Sequence, residues 1–245
     1  MSRSFKVGVL AAAVMAVAPA AQAFEAGDFI VRGGAVHVAP DDSSDSITLG
    51  GNALLGNNVG IQDTQVTVDS NTQLGLRGSY MFTDSLGLGL LAATPFKHNI
   101  GGTGDGADLG KVGETKHLPP TLTLQYYPMH SSSKFQPYAG VGINYTVFFE
   151  EKTTDGLTGA VAAEYGSTVA DTSLDLDDSF GVAVEIGMDY MLSENFGLNA
   201  AIWWADIDTD ATVTAHFDDG SSVDTDEFEV QIDPMVYMVG FTYKV

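Results

Sequence analysis

The sequence contains no cysteine. That excludes a disulfide framework, a thiolate metal centre and a cysteine nucleophile. Positive charge is scarce too: 10 Lys and Arg stand against 32 Asp and Glu, a net charge of −22. A surface that holds phosphate backbones needs a net basic face, so nucleic acid is excluded as a partner. Past residue 18 no continuous apolar run approaches the roughly 20 residues that a spanning helix needs. What remains is 44% apolar and rich in glycine, with 28 of them, too apolar for a disordered acidic chain.

Residues 1–23 have the layout of a secretory leader. Arg3 and Lys6 open it, an apolar stretch runs from Val7 to Ala18, and Ala21-Gln22-Ala23 precedes Phe24 as a cleavage signal. The apolar stretch, about 12 residues, is too short to span as a helix. Loss of Arg3 and Lys6 with the leader takes the net charge to −24. Residues 24–245 are then a single exported domain, and any membrane span must be made of strands.

From Phe24 onward the pattern has a period of two, the signature of strands. In Phe180–Leu192 one face carries Phe180, Val182, Val184, Ile186, Met188, Tyr190 and Leu192, and the other Gly181, Ala183, Glu185, Gly187, Asp189 and Met191. Residues 135–149 and 235–245 alternate in the same way, and similar segments lie near 28–39, 71–82, 86–96, 118–129 and 196–208. These eight strands are joined alternately by short connections (83–85, 130–134, 193–195) and long ones (40–70, 97–117, 150–178, 209–228). A soluble sandwich also alternates, but its outward face is polar. Here the bulky face is apolar and aromatic and the opposite face small and polar, as in a barrel that faces lipid. The fold class predicted is all-β: an eight-stranded antiparallel transmembrane β-barrel with short periplasmic turns and long extracellular loops. In lipid only such closure satisfies every strand hydrogen bond.

An eight-stranded barrel has an interior just filled by side chains. Parity places Arg32, Arg77, Glu185 and Asp189 in the turn-side half, where buried charges need partners. They are predicted to form a salt-bridge plug, structural or serving as an ion path. The other half points Val36, Val38, Leu91, Ala93, Phe148, Trp203 and Val236 inward, an apolar funnel or simple lumen packing. Gly33, Gly34, Pro95, Pro119, Pro120 and Pro234 are candidates for weakening the wall, because proline removes a ladder donor.

The chain resembles the OmpW family of outer-membrane proteins. The matching residues are Ala26–Phe29 with Arg32 and Pro40, then Asn71–Leu76, Leu90–His98 and His117–Leu122. They continue through Ser133–Tyr138 with Gly142–Thr146, and Trp203 with Asp206–Thr209. The chain departs from the family at its end, Tyr243-Lys244-Val245 in place of a terminal Phe. The resemblance implies a narrow hydrophobic lumen in the outer membrane of a Gram-negative bacterium, constricted at Leu91 and Trp203. It implies passage of small hydrophobic molecules, alkanes in one subgroup, with lipid and lipopolysaccharide as surroundings. A surface receptor or adhesion barrel, whose loops bind partners, is the alternative.

Other signals are weak. Asp206-x-Asp208-x-Asp210 opens like a calcium loop but lacks the required Gly and Glu. No metal site and no cofactor is expected from it, beyond casual divalent binding. Gly101–Gly106 lacks the Lys-Ser/Thr of a phosphate loop. His130-Ser131-Ser132 falls in a short turn, away from the outer leaflet, and no enzyme is expected. A short helix is expected around 156–165. Ten acids and no Lys or Arg fall between Asp206 and Asp233, so the acidity forms an outward rim.

Overall fold

The computed structural model describes residues 23–166 and 168–245. Apart from Ala23, the expected leader lies outside the described residues. In chain order the elements begin with β1 (Phe29–Ala39), three short pieces, β2 (Ser43–Ser44), β3 (Thr48–Leu49) and β4 (Asn52–Ala53), and then β5 (Thr64–Val68) and β6 (Asn71–Met81). Next come β7 (Leu86–Ala93), β8 (Phe96–Gly104), β9 (Lys111–Leu118), β10 (Thr121–Tyr126), β11 (Phe135–Thr153) and the helix α1 (Asp155–Tyr165). The remainder are β12 (Val169–Leu176), β13 (Ser179–Met191), β14 (Phe196–Ala205), β15 (Asp208–Phe217), β16 (Ser222–Asp224), β17 (Phe228–Gln231) and β18 (Met235–Lys244).

Eight of these strands close a barrel in the order β1-β6-β7-β10-β11-β13-β14-β18, with β18 returning to β1 and every pair antiparallel. Alternation does the sorting. Phe180, Val182, Val184, Ile186, Met188 and Tyr190 of β13 all point outward, as do Tyr237, Val239, Phe241 and Tyr243 of β18. Phe180 is 68% exposed and Val239 69%. A continuous belt of such residues has hydrocarbon as its solvent. The tight turns lie at one end, where Thr83 Oγ1 accepts from the Ser85 and Leu86 N–H groups. The Ala23 N–H donates to Ser131 O at 2.5 Å and brings the start of the described chain to that same end.

The segments expected as long loops are largely strand and helix. β11 runs on past the barrel for 19 residues in all, pairing first with β13 and β10 and then with β9. β8 and β5 continue that sheet, while β12, β15, β17 and β2 build the opposite wall. The Val66 N–H donates to Ser44 Oγ at 2.8 Å and links the two. The physical reason is buried apolar surface: Val66, Ile100, Val112, Val213, Phe228 and Val230 share one inner core, which pays for extended pairing. The expected helix is α1. Thr154 Oγ1 caps it by accepting from the Leu157 N–H, and Leu157 and Val161 close the core from the side.

Two barrel strands are shorter than their alternation suggests. β7 stops at Ala93, ahead of Pro95, and β10 begins at Thr121, after Pro119-Pro120. The ladder holds at Thr121–Leu91 and resumes at His117–Phe96. Among the described residues no backbone pairing joins 92–95 to 118–120. Gly33 and Gly34, by contrast, do not weaken the wall: β1 pairs without a break to β18 and to β6 through both. Gly34 stands opposite Gly240, and a Cβ there would fall on the Val239 carbonyl, so these glycines permit close strand approach. Pro234 precedes the first rung of β18, Ala39–Met235.

Candidate functional site

The turn-side half of the lumen holds charge. Arg32 and Asp189 are fully buried and paired, with Nη2 to Oδ2 at 2.7 Å and Nε to Oδ1 at 3.0 Å. Asn199 Nδ2 donates to the same carboxylate at 3.0 Å, and the Thr242 hydroxyl donates as well. Arg77 Nη2 meets Glu185 at 2.6 and 2.5 Å, and Thr123 Oγ1 adds a bond of 2.9 Å. The Tyr138 ring lies between the two guanidiniums, 5.1 Å from Arg32 Cζ and 5.0 Å from Arg77 Cζ. Gly187 makes this possible, because a Cβ there would strike that ring. Below the charges, Phe24 packs edge-on against Tyr127 at 5.6 Å. Lys244 Nζ donates to Ala23 O at 2.7 Å beside it. The two ion pairs and these rings lie buried together inside the barrel.

Trp203 joins the charged half to the apolar half. Its ring lies 5.1 Å from Arg77 Cζ, and it is buried with Val36, Val38, Leu91 and Val236, against which Ala93 packs. A cavity of about 20 Å³ lies among Val36, Val38, Leu91, Ala93, Trp203 and Val236. Phe96, His117, Pro119 and Pro234 also line it, with the polar Thr121 and Asn144, so it abuts the unpaired stretch of the barrel. Phe148 lines a second, higher cavity of about 60 Å³, with Val66, Ile100, Val112, Leu157, Leu174 and Val213 around it. One water centre needs ~10–15 Å³, so both cavities have room. Val38 and His117 border both, so the two cavities are neighbours, one among the extracellular strands and one above Trp203.

At the waist sit two histidines the sequence pattern did not single out. The His98 and His117 rings are 4.9 Å apart, between Phe96 and Phe148. From Phe96 to His117 no large apolar side chain is exposed, so these histidines stand above the lipid belt. Burial pushes the His117 imidazole down to about 3, helped by His98, and burial also lowers His98 despite its bond to the Asp69 carbonyl. Both rings are therefore uncharged at neutral pH. The signal for them was the parity of Phe96, His98 and Ile100, all buried on one face of β8.

The sequence model of the OmpW family matches residues 25–245. The chain belongs to the OmpW family. Outer membrane protein W of Vibrio cholerae is 42% identical over 235 residues, covering 95% of this chain and 96% of that one. The crystal structure of the family-like OprG of Pseudomonas aeruginosa is similar at a TM-score of 0.75 and 44% identity, covering 91% and 98%. The solid-state NMR structure of outer membrane protein AlkL in lipid bilayers shares the fold at a TM-score of 0.63 and 21% identity, covering 100% and 97%. As an OmpW-family barrel, the chain is integral to the outer membrane of a Gram-negative bacterium, and its belt faces lipid.

Of the weaker sequence signals, the histidine one stays isolated and the acidic one converges. His130 Nδ1 and Ser132 Oγ are 3.0 Å apart in an exposed turn, with no carboxylate bonded to either among the described residues. Asp206 and Asp208 converge with Asp233, and Asp210 with Asp177 and Glu227, as acidic groups on the outer wall.

Proposed function

We propose that this barrel is a passive conduit through which small hydrophobic molecules enter from outside, with no bond made or broken. The guest enters the apolar cavity of the extracellular storey and passes His98 and His117. It descends to Trp203, with Leu91 and Trp203 as the constriction. Burial favours it by ~0.8 kcal/mol per methylene, which carries it past the polar lipopolysaccharide leaflet. The Arg32–Asp189 and Arg77–Glu185 pairs block further descent, so the guest leaves sideways, where Pro95, Pro119 and Pro120 interrupt the wall.

What supports this reading is the coincidence of three features: the lower of two neighbouring apolar cavities is lined by Trp203, charged pairs lie beneath it, and the unpaired stretch 92–95/118–120 lies beside it. The receptor reading requires sticky loops. The extracellular strands instead turn their apolar residues inward, with Tyr165 and Val223 the large apolar side chains exposed there.

The test is decane uptake by a strain lacking the gene, complemented with the wild type or with Ala93→Cys plus Pro119→Cys. The chain has no other cysteine, so a cross-link at this pair is unambiguous. The wild type should restore uptake of decane and not of a hydrophilic sugar. Cross-linking should abolish decane uptake, and reduction should return it. Undiminished uptake with the wall cross-linked refutes lateral exit.

A further inference from the structure

Five buried side-chain polar atoms among the described residues have no hydrogen-bond partner: Thr64 Oγ1, Arg77 Nε, His98 Nε2, His117 Nδ1 and Asn199 Oδ1. Arg77 and Asn199 belong to the charged floor. The other three line the apolar extracellular cavity. An unpartnered polar atom in such surroundings costs roughly 1–3 kcal/mol, so a cluster of them in an otherwise apolar cavity points to something that pairs with them. Thr64 lies about six residues, or ~20 Å, up the wall from His98 and stands apart. The two imidazoles are adjacent and share the waist.

Their chemistry can be read further. His98 Nδ1 bonds the backbone carbonyl of Asp69. A carbonyl only accepts, so Nδ1 carries the hydrogen. In the uncharged ring Nε2 is then a bare lone pair and requires a donor. Asp69 Oδ1 stands 3.7 Å from Nδ1, on the side that already carries the hydrogen. His117 stacks on Phe96 at 5.5 Å and faces Phe148 at 5.9 Å, with no charged group against it in these contacts, and its Nδ1 is without a partner; in the tautomer with the hydrogen on Nδ1 it is a donor. An alkane offers this pair nothing. An ether or ester offers only an acceptor. A carboxylate brings a charge into an apolar waist without a donor. A hydroxyl both donates and accepts, and is uncharged.

Resting on the conduit reading above, we infer that His98 and His117 form a head-group station selective for hydrophobic solutes that end in an uncharged hydroxyl, such as aliphatic alcohols. The hydroxyl donates to His98 Nε2 and accepts from His117 Nδ1–H, while the chain occupies the apolar cavity beside Val66, Ile100 and Leu174.

The test uses the full barrel in lipid nanodiscs with ¹⁵N-labelled histidine. Three guests of equal chain length are titrated: 1-decanol, its methyl ether and decane. Decanol should move the His98 Nε2 resonance, and the ether and decane should leave it in place. Decanol should bind about tenfold tighter than the ether. His98→Phe or His117→Phe should remove that preference while decane still binds. If one variant fails to fold, the other and the resonance shift in the unaltered protein still decide. Equal binding of all three guests with an unmoved Nε2 overturns the station and leaves the conduit standing, with the imidazoles serving water only. Failure of all three to bind overturns both.

Discussion

Replacing Asp189 by Leu leaves the Arg32 guanidinium buried with two neutral acceptors, Ser79 Oγ at 2.8 Å and Tyr127 Oη at 3.1 Å, and the Phe24 and Tyr138 rings. Removing one member of a buried ion pair typically costs 3–5 kcal/mol. The surviving acceptors and rings place this case near the lower figure, about 3 kcal/mol. Replacing Arg32 by Met in the same chain removes the stranded charge. Tyr127 still donates to Gln125 at 2.8 Å, and Asn199 still reaches Tyr138 at 3.0 Å. Thr242 and Ser79 are the groups left short, since the side-chain bond of each is to the removed pair. The double variant should therefore be more stable than Asp189→Leu alone, with a coupling of at least about 2 kcal/mol between the sites. Urea unfolding in phospholipid vesicles, followed by tryptophan fluorescence, measures all four corners of the cycle. Additive costs would refute the pairing, and with it the charged floor.

Acid should loosen the extracellular strands. Because burial holds His117 down to about 3, the unfolded chain binds one more proton than the folded one between roughly pH 6.5 and 3. This contribution is complete above about pH 6.5 and shrinks as pH falls, by about 2 kcal/mol at pH 5. His117→Phe should remove that part of the slope in amide exchange of β8 and β9, and identical slopes refute it. Glu164 accepts from the N–H groups of Asn57, Asn58 and Val59 at 2.8, 2.7 and 2.8 Å, which cinches the 54–61 segment onto α1. Glu164→Ala should free that segment at a cost of about 2 kcal/mol, read as protease cleavage there while the barrel stays intact.

Much of the barrel was legible because lipid inverts the usual rule. Phe180, Val184 and Val239 could be assigned outward only because Gly181, Ala183 and Gly240 opposite them are small. The same parity put Arg32, Arg77, Glu185 and Asp189 inside, and opposite signs with no water leave pairing as the available outcome. Which cation met which anion was not legible, since it depends on strand order around the closed wall. The extracellular strands were missed because their alternation is interrupted. Gly101, Gly102 and Gly104 dilute β8, and β15 mixes Asp208 and Asp210 with Thr209 and Ala211. The histidines were missed because an isolated His carries no period of its own. Gly33 and Gly34 misled because glycine both breaks strands and lets them approach closely, and only the Gly34–Gly240 register tells the two apart.

A missing rung gives a membrane wall an edge, and edges recruit other strands. Exposed N–H groups in hydrocarbon are the hazard, each costing several kcal/mol and each inviting a partner. Pro119 and Pro120 have no N–H to expose. Their carbonyls are occupied from within, Pro119 O by Thr121 Oγ1 at 3.0 Å and Asn144 Nδ2 at 3.3 Å, and Pro120 O by the Tyr145 N–H at 3.1 Å. At Pro119 and Pro120 the unpaired stretch is thus an edge with its stickiness removed. It can stand against acyl chains without presenting, at 119 and 120, a donor for another strand to pair with.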